Sequence, residues 1–236
     1  ELTDVEFALG IFSDQADPTR TWTALQATAG SFGFIGVEDL SVTGTTLSVS
    51  INQAPVDEDV ANFAVNSVAV KTGPSSSKDL DLDGSRGELL EVSGNLNIDV
   101  FGFFQVSGGF ALSKSTGTIT LSDTAATEVT VDQLTLGASN VSAFAGIAGG
   151  TSDAVGLALT DVEFALGIFS DQADPTRTWT ALQATAASFG FIGVEDLSVT
   201  GTTLSVSINQ APVGDDVANF AVNSVAVKTG PSSSKD

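Results

Sequence analysis

The chain contains no cysteine, no histidine, no methionine and no tyrosine. Without cysteine there is no disulfide, no thiolate metal site and no thiol nucleophile. Without histidine, every imidazole acid, base or metal ligand is excluded as well. The missing cysteines leave the compartment open, because they say only that stability must come from core burial, hydrogen bonding or bound ions. Positive charge is scarce: 8 Lys and Arg stand against 29 Asp and Glu, a formal net charge of −21. So acidic a surface repels nucleic acid and anionic lipid, so neither is expected as a partner, whereas divalent cations are attracted. No apolar run approaches the ~18–20 residues of a membrane-spanning helix, so no membrane insertion is expected, and no signal peptide is visible. A chain that opens on Glu1 and lacks methionine reads as an excerpt of a longer polypeptide, which keeps export open. With 236 residues it can bury a sizeable core in one or two domains.

What is present is repetition. Residues 1–79 return as 158–236, shifted by 157, with four differences: Glu1/Ala158, Gly30/Ala187, Asp57/Gly214 and Glu58/Asp215. The chain therefore divides into 1–79, the second half of a 157-residue unit, and 80–236, one complete unit with halves 80–157 and 158–236. Such near-identity marks a tandem array, and neighbouring copies of the same repeat are the first partner to expect. Fibres, stalks and adhesins are built this way far more often than enzymes, and no catalysis is expected.

A finer repeat of 21 residues lies inside the unit. Leu134, Leu136 and Ala138 match Val155, Leu157 and Leu159; after a three-residue step, Val141, Ala143, Ala145 and Ile147 match Val162, Phe164, Leu166 and Ile168. The pattern returns around Leu197–Ile208 and Phe220–Val227. Alternation in Val, Ile, Thr and Phe means β-strand, and no segment has helical periodicity. Every even position from Leu90 to Leu112 is apolar or glycine. Fully extended, that run would reach about 75 Å at ~3.3 Å per residue, too long for an ordinary strand, so bends are expected at Gly94, Gly102 or Gly108. These even positions, Phe104 included, are expected to face inward, as are Val141, Ile147, Val162, Phe164 and Ile168. Clusters of Gly, Ser, Asp, Asn and Pro at 148–154, 169–177, 209–216 and 229–235 read as turns.

The fold class expected is all-β. An in-register 21-residue period favours a β-solenoid-like stack of coils running in one direction. The alternative is antiparallel β-sandwich or barrel units, in which the three-residue step is a repeated β-bulge on long strands.

Among chemical motifs, the run DLDLDGSRGE is the most specific. Asp79, Asp81 and Asp83 followed by Gly84 reproduce the first half of an EF-hand-type loop, in which alternate carboxylates converge on one hard cation, and Glu88 could close the shell around Ca²⁺. Leu90 stands where the twelfth-position acid belongs, and plain alternation, with Leu80 and Leu82 inward and the aspartates solvated, is the competing reading. The loop SDQADPTR occurs twice, bringing Asp14, Asp17 and Arg20, then Asp171, Asp174 and Arg177. Two acids and an arginine permit glycosidic chemistry in principle, but no second, sequence-distant acid accompanies them, and a proline-stiffened turn closed by an Asp–Arg pair is the reading adopted. Trp22 and Trp179, beside these loops, are either sugar-stacking platforms or plugs over the core rim, the plug being favoured. KTGPSSSKD, at 71–79 and 228–236, reads as a flexible surface loop.

The motifs LTLGASNVSAFAG (134–146), RTWTALQATA (177–186) and FIGVEDLSVTGTTLSVSIN (191–209) resemble the repeat region of giant, repeat-rich bacterial surface proteins of the LEPR-XLL class. The resemblance covers most of the 157-residue unit and implies export and a place at the cell surface or in the matrix. It carries no enzymatic residues. The expected function is a structural spacer within a large extracellular surface or filament protein. The alternative is a calcium-dependent adhesion module binding glycan or another cell surface.

Overall fold

The computed structural model describes residues 1–34, 36–56 and 58–235. The fold is all-β. Strands β1 (Leu2–Thr3) and β2 (Glu6–Ser13) lie end to end along one edge, followed by β3 (Thr21–Phe34) and β4 (Leu40–Gln53). A small hairpin, β5 (Val68–Lys71) and β6 (Ser77–Leu80), precedes a 3-10 turn at Gly84–Arg86. The long strands resume with β7 (Leu89–Val100), β8 (Phe104–Thr120), β9 (Glu128–Ile147), β10 (Val155–Asp171), β11 (Thr178–Ile192) and β12 (Thr200–Gln210). A second small hairpin, β13 (Val227–Gly230) and β14 (Ser233–Lys235), ends the chain.

The long strands form one sheet, with β1 and β2 both pairing with β3 and the order then running β3-β4-β7-β8-β9-β10-β11-β12. Every pairing is antiparallel. A stack of solenoid coils needs parallel neighbours, so the 21-residue period does not mark coils here. It marks one strand plus one turn, in strands that alternate in direction. The pairing is that of the other expected architecture, long bulged antiparallel strands, arranged as one sheet whose two edges do not pair with each other among the described residues. The 79/80 seam between repeat halves falls inside β6, and pairing passes from β4 to β7 and from β9 to β10 without a break.

The three-residue step in the sequence is visible as a line of bulges across the sheet. Asp4, Thr46, Asn140, Asp161 and Thr203 all have left-handed backbones, with φ between 48° and 57°. Register shifts occur beside them, between Thr45 and Ser48 and between Leu159 and Val162. Asn and Asp tolerate this region and Thr does not, because its branched Cβ crowds the following carbonyl. Exchanging exposed Thr203 for Asn is therefore expected to stabilise the fold by about 0.5–1 kcal/mol in urea unfolding.

Strands β7 and β8 carry no such step. The 90–112 run folds at Phe101–Phe103, with Gly102 at φ 68°, so Val100 pairs with Phe104 and all the even positions share one face. Register extends that face from edge to edge, for example Phe7–Ala27–Val49, then Val92–Leu112–Leu136–Leu166–Leu182–Ile208. Contrary to the expectation that these positions are inward, no element among the described residues covers this face. Leu90 and Leu112 are each 39% exposed, Phe104 46% and Ile147 53%. Val162, Phe164 and Ile168 are half-buried, and of the expected core Val141 and Gly94 are buried.

The opposite face is the covered one. Residues 211–235 fold back beneath β7–β10, and 58–82 fold back beneath β2 and β3. Their two small cores share the repeated residues but differ in what the neighbouring strands add. Ile119, Val131, Phe169, Trp179 and Ala218 form one; Ala8, Ala24, Phe63, Leu80 and Leu82 form the other. Phe169 meets Phe220 with ring centroids 5.6 Å apart, and Phe12 meets Phe63 at 5.4 Å. Between these cores the covered face is small and polar, because a backbone lies directly on it. A Cβ at Gly137 would strike the Lys228 carbonyl, and Ser139 Oγ donates to Thr229 O at 3.1 Å. The KTGPSSSKD stretches, the second as far as Lys235, therefore lie in the hairpins β5–β6 and β13–β14 rather than in flexible loops.

Candidate functional site

The DLDLDGSRGE run does not gather its acids. Asp79 sits in β6 opposite Ala69. Asp81 exchanges two hydrogen bonds with the Gln26 amide, at 2.7 and 2.9 Å. Asp83 caps the 3-10 turn by accepting from Ser85 N at 2.9 Å, and this bond holds its carboxyl below the usual carboxylate range. Glu88 accepts from Ala54 N at 3.4 Å. The carboxylates of Asp81, Asp83 and Glu88 each meet a different part of the fold, and among the described residues no three acidic side chains come together in a cation-ligating group. Asp83→Ala is accordingly expected to lower thermal stability slightly, by the same amount with millimolar Ca²⁺ and with chelator. A calcium-dependent loss in melting experiments would show the four acids to be ligands.

The SDQADPTR loops close on themselves. Asp174 accepts from Thr176 Oγ1 at 2.6 Å, and that bond, seconded by the Thr176 amide, holds its carboxyl low. Arg177 spans Asp171 at 2.7 Å and Asp215 at 3.2 Å, while its guanidinium lies 5.0 Å from the Trp179 ring centre. In the first copy Arg20 makes the same latch with Asp14 at 2.8 Å and Glu58 at 2.6 Å. The Glu58/Asp215 difference therefore preserves its ion pair. Gly214, which replaces Asp57 in the second copy, has φ 93°, a conformation natural to glycine; Asp57 itself lies outside the described residues. Trp179 is fully buried and donates from Nε1 to Asp216 O at 2.9 Å, and Trp22 makes the equivalent bond to Asp59 O. Trp179 is a core plug, whereas Trp22 is only half-buried.

A charged cluster that the sequence pattern did not single out lies beneath the second hairpin. Glu91, only 8% exposed, accepts from Lys228 Nζ at 2.7 Å and from Arg86 Nη2 at 2.8 Å. Burial raises its pKa, and the two cationic hydrogen bonds outweigh burial, so the net shift is downward. This clamp ties hairpin β13–β14 to β7. Its signal in the sequence was a lone acid inside a strand, opposite a lysine in a stretch that read as loop.

The two identical hairpins differ in what lies under them. In the second copy Val227, Thr229 and Gly230 are buried against the sheet, with β13 touching β7, β8, β9 and β10. In the first copy the equivalent Val70 and Gly73 are half-buried and Thr72 is exposed. Lys71, the counterpart of Lys228, is exposed as well. Hairpin β5–β6 touches β2 and β3, and its far side projects past the edge strand β2. The counterpart of β2 is β10, whose outer side is paired along its length by β9. The surfaces with something left to bind are thus the sheet edges, the overhanging hairpin and the open apolar face. No protein-family model, curated protein or solved structure matches the chain.

Proposed function

We propose that the chain is a structural segment of a large extracellular surface or filament protein, in which successive 157-residue units build one continuous antiparallel sheet. The observation that carries this reading is the overhanging hairpin β5–β6. Its sequence twin β13–β14 sits over a β7-β8-β9-β10 floor, and the same floor placed against β2 would bury Thr72 and give Lys71 the partner that Lys228 finds in Glu91. β12 lies six strand positions along the sheet from its counterpart β4, so each added unit lengthens the sheet by roughly 29 Å at ~4.8 Å per strand. Nearest-neighbour stacking of this kind adds stability with every unit. The resemblance to giant surface proteins supports export, and a spacer needs only the solubility that the acidic covered side and loops supply. Of the side chains that a glycan-binding or calcium-dependent adhesin would use, Asp81, Asp83, Glu88 and Trp179 make hydrogen bonds within the fold.

The test is to place a copy of residues 80–157 ahead of residue 1 and follow amide exchange in residues 68–80. Protection of that hairpin should rise to the level of 225–235 in the parent chain. Unchanged exchange, with each unit unfolding independently, would reject the continuous sheet in favour of separate domains on a string.

A further inference from the structure

The open face carries most of the main sheet's leucine, isoleucine and valine side chains, while the chain's own covering segments lie on the other side. We propose that this face docks against the same face of a second copy, closing two sheets into a β-sandwich; this is independent of edge-to-edge growth, which uses the strand edges.

Three observations select a second copy as the occupant. The first is area: nine strand positions at ~4.8 Å by about eleven residues at ~3.3 Å give a face of roughly 1,500 Å², about twice the ~800 Å² per partner of a standard stable interface. The second is charge. The chain is at −21, yet the register positions of the apolar zone among the described residues hold a single charged side chain, Lys114, near one end. Over those rows two open faces can therefore meet without bringing carboxylates together; Glu128 and Asp132, which share the face, lie beyond them at the end of β9. The third is relief. Ala138 and Ala186 are buried hollows, at 0% and 5% exposure, beside Leu136 and Leu204, which stand out at 36% and 45%. Alternating knobs and hollows are what facing sheets interdigitate across a gap of ~10 Å. A fluid lipid surface requires no such relief.

The experiment uses the whole chain and sedimentation equilibrium. The wild type should be dimeric with a dissociation constant of about 1 μM or tighter. Leu136→Glu places a charge at the centre of the interface in both partners and should weaken the dimer by about a hundredfold or more while leaving the circular dichroism unchanged, since Leu136 contributes little to the chain's own cores. Because the chain has no cysteine, Leu136→Cys should form a disulfide-linked dimer on oxidation, and Asp132→Cys should not. If the wild type stays monomeric, including the case in which it binds neutral phosphatidylcholine vesicles, the proposal is wrong. If the dimer survives Leu136→Glu but is lost on Ser205→Pro in the edge strand β12, association runs through the edge and the proposal is equally wrong.

Discussion

Trp179→Ala is expected to cost about 3–5 kcal/mol in denaturant unfolding, and Trp22→Ala distinctly less, although the two tryptophans sit in identical sequence. Trp179 is fully buried against Ile119, Val131, Phe169 and Ala218. Truncation there removes indole contacts, opens a cavity and strands the Asp216 carbonyl that the indole N–H satisfies. Trp22 makes the same hydrogen bond but is only half-buried, because residues equivalent to Ile119, Val129 and Val131 do not pack beside it. Equal costs for the two truncations would mean that strands β8 and β9 contribute nothing to this end of the core. In a chain lengthened by a preceding 80–157 segment, the cost at Trp22 should climb toward that at Trp179.

Glu91→Ala is the second large effect, about 2 kcal/mol at neutral pH. Removing one partner of a buried, doubly bonded carboxylate leaves Lys228 and Arg86 without a counter-charge. The figure is held below the range for fully buried pairs because Arg86 and Lys228 are partly exposed, at 44% and 28%. The carboxyl titrates below its ordinary value of 4.5 in the folded chain. Its contribution is therefore complete above that value, and it disappears as pH falls through the lower, folded-state pKa. The gap in stability between wild type and Glu91→Gln should accordingly hold steady at neutral pH and close in the acid range below 4.5. A gap that instead widened on acidification would reverse the sign and mean that burial dominates. Pairing Glu91→Ala with Lys228→Ala in a double-mutant cycle isolates the clamp itself.

Much of this fold is legible in the residues. Alternation at Leu134–Ile147 and Val155–Ile168 determines strands, and the three-residue step between Ala138 and Val141 locates the left-handed bulge at Asn140. The repeat at 157 determines that two stretches of chain adopt the same strands, the same Arg latch and the same tryptophan hydrogen bond. What the residues leave open is strand direction. A step at mid-strand reads the same from either end, so the 21-residue pattern suits parallel coils and antiparallel hairpins equally, and only the pairing Leu136↔Leu166, antiparallel, decides between them.

Burial was likewise beyond the pattern. Alternation says that Leu90, Leu112 and Leu136 share a face, and a shared apolar face is ordinarily the core. The sequence by itself determined the strands, their bulges and the amphipathic division of the sheet. Only the tertiary structure decided which side the chain covers, because that depends on where the segments after β4 and β12 fold back. They cross the small, polar side, where Gly109, Gly137 and Ser139 let a hairpin backbone lie flat and where Glu91 can receive Lys228. The bulky side offers no such approach to a backbone, so it is left for another layer.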